Sequence, residues 1–264
     1  MLILYDGTTS VCAIKVRITL VEKGLDFQSR NIDLRKGEQF SSDYLQLNPN
    51  AVVPTLVDGE NIVLESSIIM QYLEDLIVDN SLLPESPQSR AKMRMWLKRI
   101  DDLVHPATGI ITHATAFRPS FLQKSKKEQK AHLNKIPDIA RRQRQEAVYK
   151  DGLNSPIVES AIHTFEKFIC DMNTVLKEHE YISGSSYTLA DAAATPYINR
   201  LASLKLLGVW RERAPKVFNW YDRICSRQSF EKAVTKYLTD SDVLQFSGID
   251  DNVAVVARRI LMQK

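Results

Sequence analysis

The chain has 264 residues, of which 44% are hydrophobic and 25% charged, and a net charge of +3. This balance allows a sizeable core with no metal or disulfide staple, arranged as one large domain or two small ones. Cys12, Cys170 and Cys225 stand far apart, with no CxxC pair and no zinc spacing, which suits a reducing compartment. The start lacks a basic stretch and a cleavage site, and no run approaches about 18 apolar residues, so a cytoplasmic protein without a transmembrane helix is expected.

Residues 2–5 (LILY) read as a short buried strand. "DGTTSVC" is a turn leading into a hydroxyl-rich helix start. Val11, Ile14, Ile18 and Val21 then recur at helical spacing, and Gly24 is a natural stop. "DFQSRNID" alternates like a strand, so the chain opens β–α–β with its two strands parallel. After a polar, turn-rich link, "TLVD" and "NIVL" flank Gly59-Glu60 as an antiparallel hairpin. "ESSIIMQYLEDLI" follows as an amphipathic helix, giving ββα.

The stretch "VDNSLLPESPQSR" reads as an interdomain linker. The expected domains are therefore residues 1–80, an α/β unit, and 88–264, an all-α unit with a basic insertion around 118–155. A first long helix bends at Pro106, and a second starts with Ser155 as cap and Pro156 in its first turn. Further helices are expected in "TLADAAATPYINRLASL", "APKVFNWYDRICSRQ", "SFEKAVTKYL" and "GIDDNVAVVARRILMQK". Residues 122–150 hold nine Lys or Arg against three acidic residues. Only Tyr149 accompanies them as an aromatic, so the run reads as a solvated helical excursion and not a nucleic-acid surface.

Three segments converge at one end of such a sheet. In "TTSVC", Ser10 at a helix N-terminus can donate to a thiolate and lower that thiol's pKa, with Thr9 and Cys12 as alternatives. Cys12 has no neighbouring cysteine to resolve a disulfide. In "NAVVPTLVDG", Pro54 marks either an edge or a cis peptide; a cis bond turns the Val53 N–H and C=O outward to pair with an extended peptide. In "LESS", the helix N-terminus with Ser66 seats a carboxylate, and Glu65 suits an ammonium. Plain helix capping is the competing reading for both hydroxyl sites.

Together "SVCAIKVRITLVEKGLDF", "DLRKGEQFSSDYLQLNPNAVVPTLVDG" and "VLESSIIMQYLED" resemble the N-terminal domain of cytosolic glutathione transferases, densely over residues 2–78. The likeness is to the serine-type branch, which includes the theta and zeta classes and the bacterial β-etherases. In the second half, "YTLADAAATPYINRL" resembles the family's capping box, with Thr188 as cap answered by Asp191. The resemblance implies a thioredoxin-like domain followed by a helical one, homodimeric, with glutathione as cosubstrate and no metal. It implies Ser10 as thiol activator, Val53 and the cis Pro54 as backbone partners, and Glu65 and Ser66 at the γ-glutamyl end. Gln39 and Lys36 match the glycine end. A hydrophobic, aromatic electrophile is expected on the "HPATGIITHATAF" face, at His105, His113 and Phe117. β-Aryl ether cleavage fits the long helical half. A zeta-type isomerase, a non-catalytic glutathione- or protein-binding relative and a Cys12-based reductase are the alternatives.

Overall fold

In strand β1 (Leu2–Asp6) alternate residues are buried, so Leu2, Leu4 and Asp6 share the inner face. The computed structural model describes residues 1–263; Lys264, the end of the expected final helix, lies outside them. β1 runs parallel to β2 (Phe27–Asn31) and antiparallel to β3 (Thr55–Asp58), which pairs with β4 (Asn61–Val63). The sheet order is β2-β1-β3-β4. Helix α1 (Val11–Glu22) links the parallel strands. It ends at Gly24, whose φ of 69° is the left-handed stop that a helix C-terminus favours. A short helix α2 (Ser42–Leu47) lies in the polar link, and α3 (Ser66–Leu76) closes the motif. This is the thioredoxin-like βαβ–ββα order expected from the sequence.

The α1 helix departs from a one-sided pattern. Eight consecutive residues, 13–20, are buried, including Lys15, Arg17 and Thr19. It packs on α3 and also on a later helix, α12, introduced below. A helix covered on both sides buries its polar positions too.

The remaining helices are α4 (Pro87–Arg99), α5 (His105–Ala114), α6 (Arg118–Leu122), α7 (Lys126–Asn134), α8 (Ile139–Asp151), α9 (Pro156–Val175), α10 (Leu189–Ser203), α11 (Pro215–Cys225), α12 (Gln228–Ala233), α13 (Asp240–Ser247) and α14 (Asn252–Met262). The chain forms two compact units. One comprises Met1–Lys98, Val175–Pro196 and Asn219–Thr239; the other comprises Arg99–Thr174, Tyr197–Phe218 and Asp240 onward.

In the first unit Asp191 is fully buried and accepts from Ile182 N–H, Thr188 N–H, the Thr188 hydroxyl and Trp220 Nε1–H. The Thr188 hydroxyl also accepts from Ala190 N–H, so the expected cap is present. A second buried group, Glu74, pairs with Lys23 at 3.1 Å and accepts from Leu82 N–H and the Ser81 hydroxyl. These carboxylates staple loops onto helix ends, since buried charge is tolerated where its acceptor sites are filled.

In the second unit the expected bend near Pro106 takes the form of a π-helical turn over Ile100–Val104. His105 N–H donates five residues back, to Ile100 O. Proline supplies no N–H and crowds the carbonyl four residues earlier, which favours the wider turn. Ser155 does not cap α9 through its side chain: its Oγ is buried without a hydrogen-bond partner among the described residues, and its carbonyl takes Val158 N–H. The basic stretch forms α7 and α8, and α7 buries no residue. No helix among the described residues is long and apolar enough to cross a membrane.

Candidate functional site

Ser10 is the N-cap of α1. Its backbone is extended, its N–H donates to Gly7 O at 3.1 Å, and its Oγ accepts from Ala13 N–H at 3.3 Å. A serine hydroxyl has one donor and two acceptor lone pairs. The cap uses an acceptor, which leaves the O–H to donate elsewhere. Thr9 precedes Ser10, and Cys12, half-buried and in no disulfide, sits in the first turn.

The turn before Ser10 comes close to the Pro54 loop. A Cβ added at Gly7 would lie 3.2 Å from Leu34 Cδ1 and 3.5 Å from Val53 Cγ2. The Val53–Pro54 peptide is cis. The loop is anchored on both sides of it. Tyr44 Oη donates to Val52 O at 2.6 Å and meets Thr55 Oγ1 at 3.0 Å. Asn48 Nδ2 reaches the same two atoms at 3.0 and 3.2 Å. The Val53 N–H and C=O make no hydrogen bond among the described residues.

At the start of α3, Ser66 and Ser67 are buried while Glu65 is exposed. Glu65 has φ 66° and ψ 113°, and α3 has no side-chain cap. A helix start without a cap leaves N–H groups to take an anion. Lys15, buried on α1, donates to Ser67 Oγ at 2.7 Å and sets a cation behind this turn. Gln39 is buried; its Nε2 donates to Leu34 O at 3.4 Å, and its Oε1 has no partner among the described residues. Lys36 points to solvent and pairs with Asp33 at 3.3 Å.

These contacts link Ser10's turn to Leu34 and Val53, Leu34 to Gln39, and α1 to the start of α3. Together these segments offer a hydroxyl donor, a strand-like edge at Val53 without a hydrogen bond among the described residues, an uncapped helix N-terminus with a carboxylate beside it, and a buried amide. That set matches an extended peptide with carboxylates, an amine and a thiol. The sequence reading missed Lys15, Arg17 and the left-handed φ of Glu65. One signal was available for a buried cation: strand alternation puts Asp6 on the inner face with Leu2 and Leu4.

The α5 residues lie in the second unit. His113 Nε2 accepts from Gln145 Nε2 at 3.1 Å, so its Nδ1–H donates to Tyr149 Oη at 2.6 Å. Enclosure holds this ring down at about 3, hence neutral. Both nitrogens are engaged, so His113 joins α5 to α8. Phe117 packs edge-on against His113, with ring centres 5.1 Å apart. His105 is exposed, with its Nδ1 3.5 Å from Tyr197 Oη.

The comparisons with known proteins agree with this chemistry. Residues 1–75 match the family described as glutathione S-transferase, N-terminal domain, and residues 158–223 match its C-terminal domain. Protein LigF of Sphingobium sp. SYK-6 is 29% identical over 88% of this chain and 93% of its own length. The crystal structure of that β-etherase superposes with a TM-score of 0.81, covering 89% of this chain and 99% of its own. A tetrachloro-p-hydroquinone reductive dehalogenase of Sphingobium chlorophenolicum is 27% identical over 87% of this chain and 94% of its own length. Glutathione S-transferase F10 of Arabidopsis thaliana is 28% identical over 83% and 90%. The chain therefore belongs to the glutathione S-transferase family and is an enzyme with glutathione as its cosubstrate.

Proposed function

We propose that this glutathione transferase activates the thiol through Ser10 and directs it at a hydrophobic aromatic electrophile, with β-aryl ethers as the leading substrate class. The observation that carries the electrophile class is the similarity to the β-etherase along nearly the whole of both chains. The Ser10 hydroxyl donates to the glutathione sulfur, and the α1 N-terminus favours the negative charge. The thiolate attacks the carbon that bears the aryl ether oxygen. A C–S bond forms, the C–O bond breaks, and the phenolate leaves to take a proton from solvent. Val53 offers its backbone to the cysteinyl residue of glutathione, beside Pro54. Glu65 takes the α-ammonium, and Ser66 with the α3 N–H groups takes the γ-glutamyl carboxylate. Gln39 and Lys36 serve the glycine end. His105 and Phe117 are assigned to the electrophile, and the protein is assigned a homodimeric state.

The test is the ultraviolet thiolate band of bound glutathione against pH. The expected midpoint in the wild type lies about two units below that of free glutathione, equivalent to roughly 2.7 kcal/mol. Ser10→Ala is expected to restore most of the difference. A midpoint unchanged by Ser10→Ala would move the role to Thr9 or Cys12. Similarity to the dehalogenase supports a second substrate class, chlorinated hydroquinones. Product analysis with a β-aryl ether and a chlorinated hydroquinone, each with glutathione, separates the two.

A further inference from the structure

Arg17 is a charged residue in the middle of a buried helix, with no exposed surface. Desolvating a guanidinium is costly, and an apolar side chain would fill the same core. Its donors show what the charge does there. Nη1 donates to Asp6 Oδ2 at 3.1 Å and to Gly7 O at 3.3 Å, and Nη2 donates to Thr8 O at 2.8 Å. Nε donates to Ala233 O at 2.9 Å. The guanidinium carbon lies 3.9 Å from the centre of the Tyr237 ring, which covers its face. The charged and titratable groups that face it are Asp6 from β1 and Tyr237 from the turn after α12. Asp6 is itself approached by the Ser29 hydroxyl of β2.

Gly7 and Thr8 form the turn that presents Ser10, and Gly7 O also accepts the Ser10 N–H. We propose that Arg17 is a positioning residue for thiol activation: its fork grips the Gly7 and Thr8 carbonyls and fixes the direction of the Ser10 hydroxyl. Asp6 balances the charge, and the Ala233–Tyr237 segment holds the fork from the other side. This inference rests on the Ser10 reading. Arg17 touches neither glutathione residue nor electrophile in that scheme; it acts through the turn. The planar fork matters as well as the charge, because a lysine ammonium offers its three donors from one point and cannot reproduce contacts spread over Nε, Nη1 and Nη2.

The test compares wild type, Ser10→Ala, Arg17→Lys and Tyr237→Leu. Two quantities are measured: the pH midpoint of the glutathione thiolate, and the glutathione Kd by calorimetry. Arg17→Lys is expected to raise the midpoint by about one unit, a tenfold loss of thiolate below it, with Kd changed less than about threefold. Tyr237 is half exposed, so Tyr237→Leu leaves the fold in place even where Arg17→Lys does not. It is expected to raise the midpoint in the same direction. A purely structural Arg17 would lower thermal stability and leave the midpoint of every folded variant at the wild-type value; that result overturns the proposal. A wild-type midpoint equal to that of free glutathione, or one indifferent to Ser10→Ala, overturns the Ser10 reading and this inference with it. A Ser10-dependent midpoint kept by Arg17→Lys and Tyr237→Leu overturns the Arg17 role alone.

Discussion

Glu65 stands where a residue with a Cβ is disfavoured: φ is 66° with ψ 113°, beyond the ordinary left-handed basin. Conformations of this kind cost on the order of 1–3 kcal/mol and persist where the surroundings or a function require them. Its side chain caps nothing, so the carboxylate itself gives α3 no visible benefit. The strain and the assigned role, gripping the glutathione ammonium, predict a trade-off. Glu65→Gly relieves the backbone and is expected to leave the protein equally stable or more stable, by up to about 1 kcal/mol in urea unfolding. The same variant should bind glutathione roughly tenfold more weakly, since a charge-assisted contact is lost. A variant both less stable and equally tight in calorimetry would show that Glu65 serves the fold.

At the scale of elements, Asp191 makes a prediction with an unusual sign. Burial holds its carboxyl up at about 6, from an ordinary 3.8, although four donors pull the other way. The folded carboxyl therefore binds a proton more tightly than the unfolded one. Its contribution to stability is fully present below about 3.8 and declines as pH rises towards 6. Asp191→Asn removes that titration and faces an amide towards N–H donors, so it should be destabilising throughout. The gap between wild type and variant in urea unfolding should be wider at pH 4 than at pH 7; a gap that widens with pH would refute the assignment. The Thr188–Asp191 box was readable from the sequence because its two residues lie three apart before an apolar run. The same holds for the βαβ–ββα order, which local periods of 2 and 3.6 announce. Lys15 and Arg17 were hidden for the opposite reason: on opposite sides of α1, each reads as solvent-facing until Ser67 of α3 takes Lys15 and the Ala233 carbonyl of α12, more than 200 residues later, takes Arg17. The hydroxyl of Ser10, the Pro54 loop and the "LESS" start were legible as chemistry. The engagement of both His113 nitrogens was not, because Gln145 and Tyr149 come from α8, and α13 was missed because it buries little beyond Asp242.

For the whole molecule, the assigned glutathione residues bear on how it unfolds. Ser10, Lys36, Gln39, Val53, Pro54, Glu65 and Ser66 all belong to the first compact unit. A ligand that binds only the folded state adds RT ln(1 + [L]/Kd), about 2.7 kcal/mol at a hundredfold excess over Kd. That linkage acts directly on the first unit alone. Neither unit is one continuous stretch of chain, however: the first is built from three segments and the second from three. Unfolding either one frees segments whose ends are covalently fixed in the other, which favours a single cooperative transition over two. Tryptophans report on each separately, Trp220 in the first unit and Trp210 in the second, both fully buried. With Trp96→Phe and either Trp210→Phe or Trp220→Phe, one buried reporter remains in each variant. The expected outcome is coincident thermal transitions from both reporters, moved upward together by glutathione by roughly 5–10 °C. Glu65→Gly should shrink that shift for both reporters alike. If only the Trp220 transition moves, the units unfold independently, and the glutathione-binding unit carries its own stability.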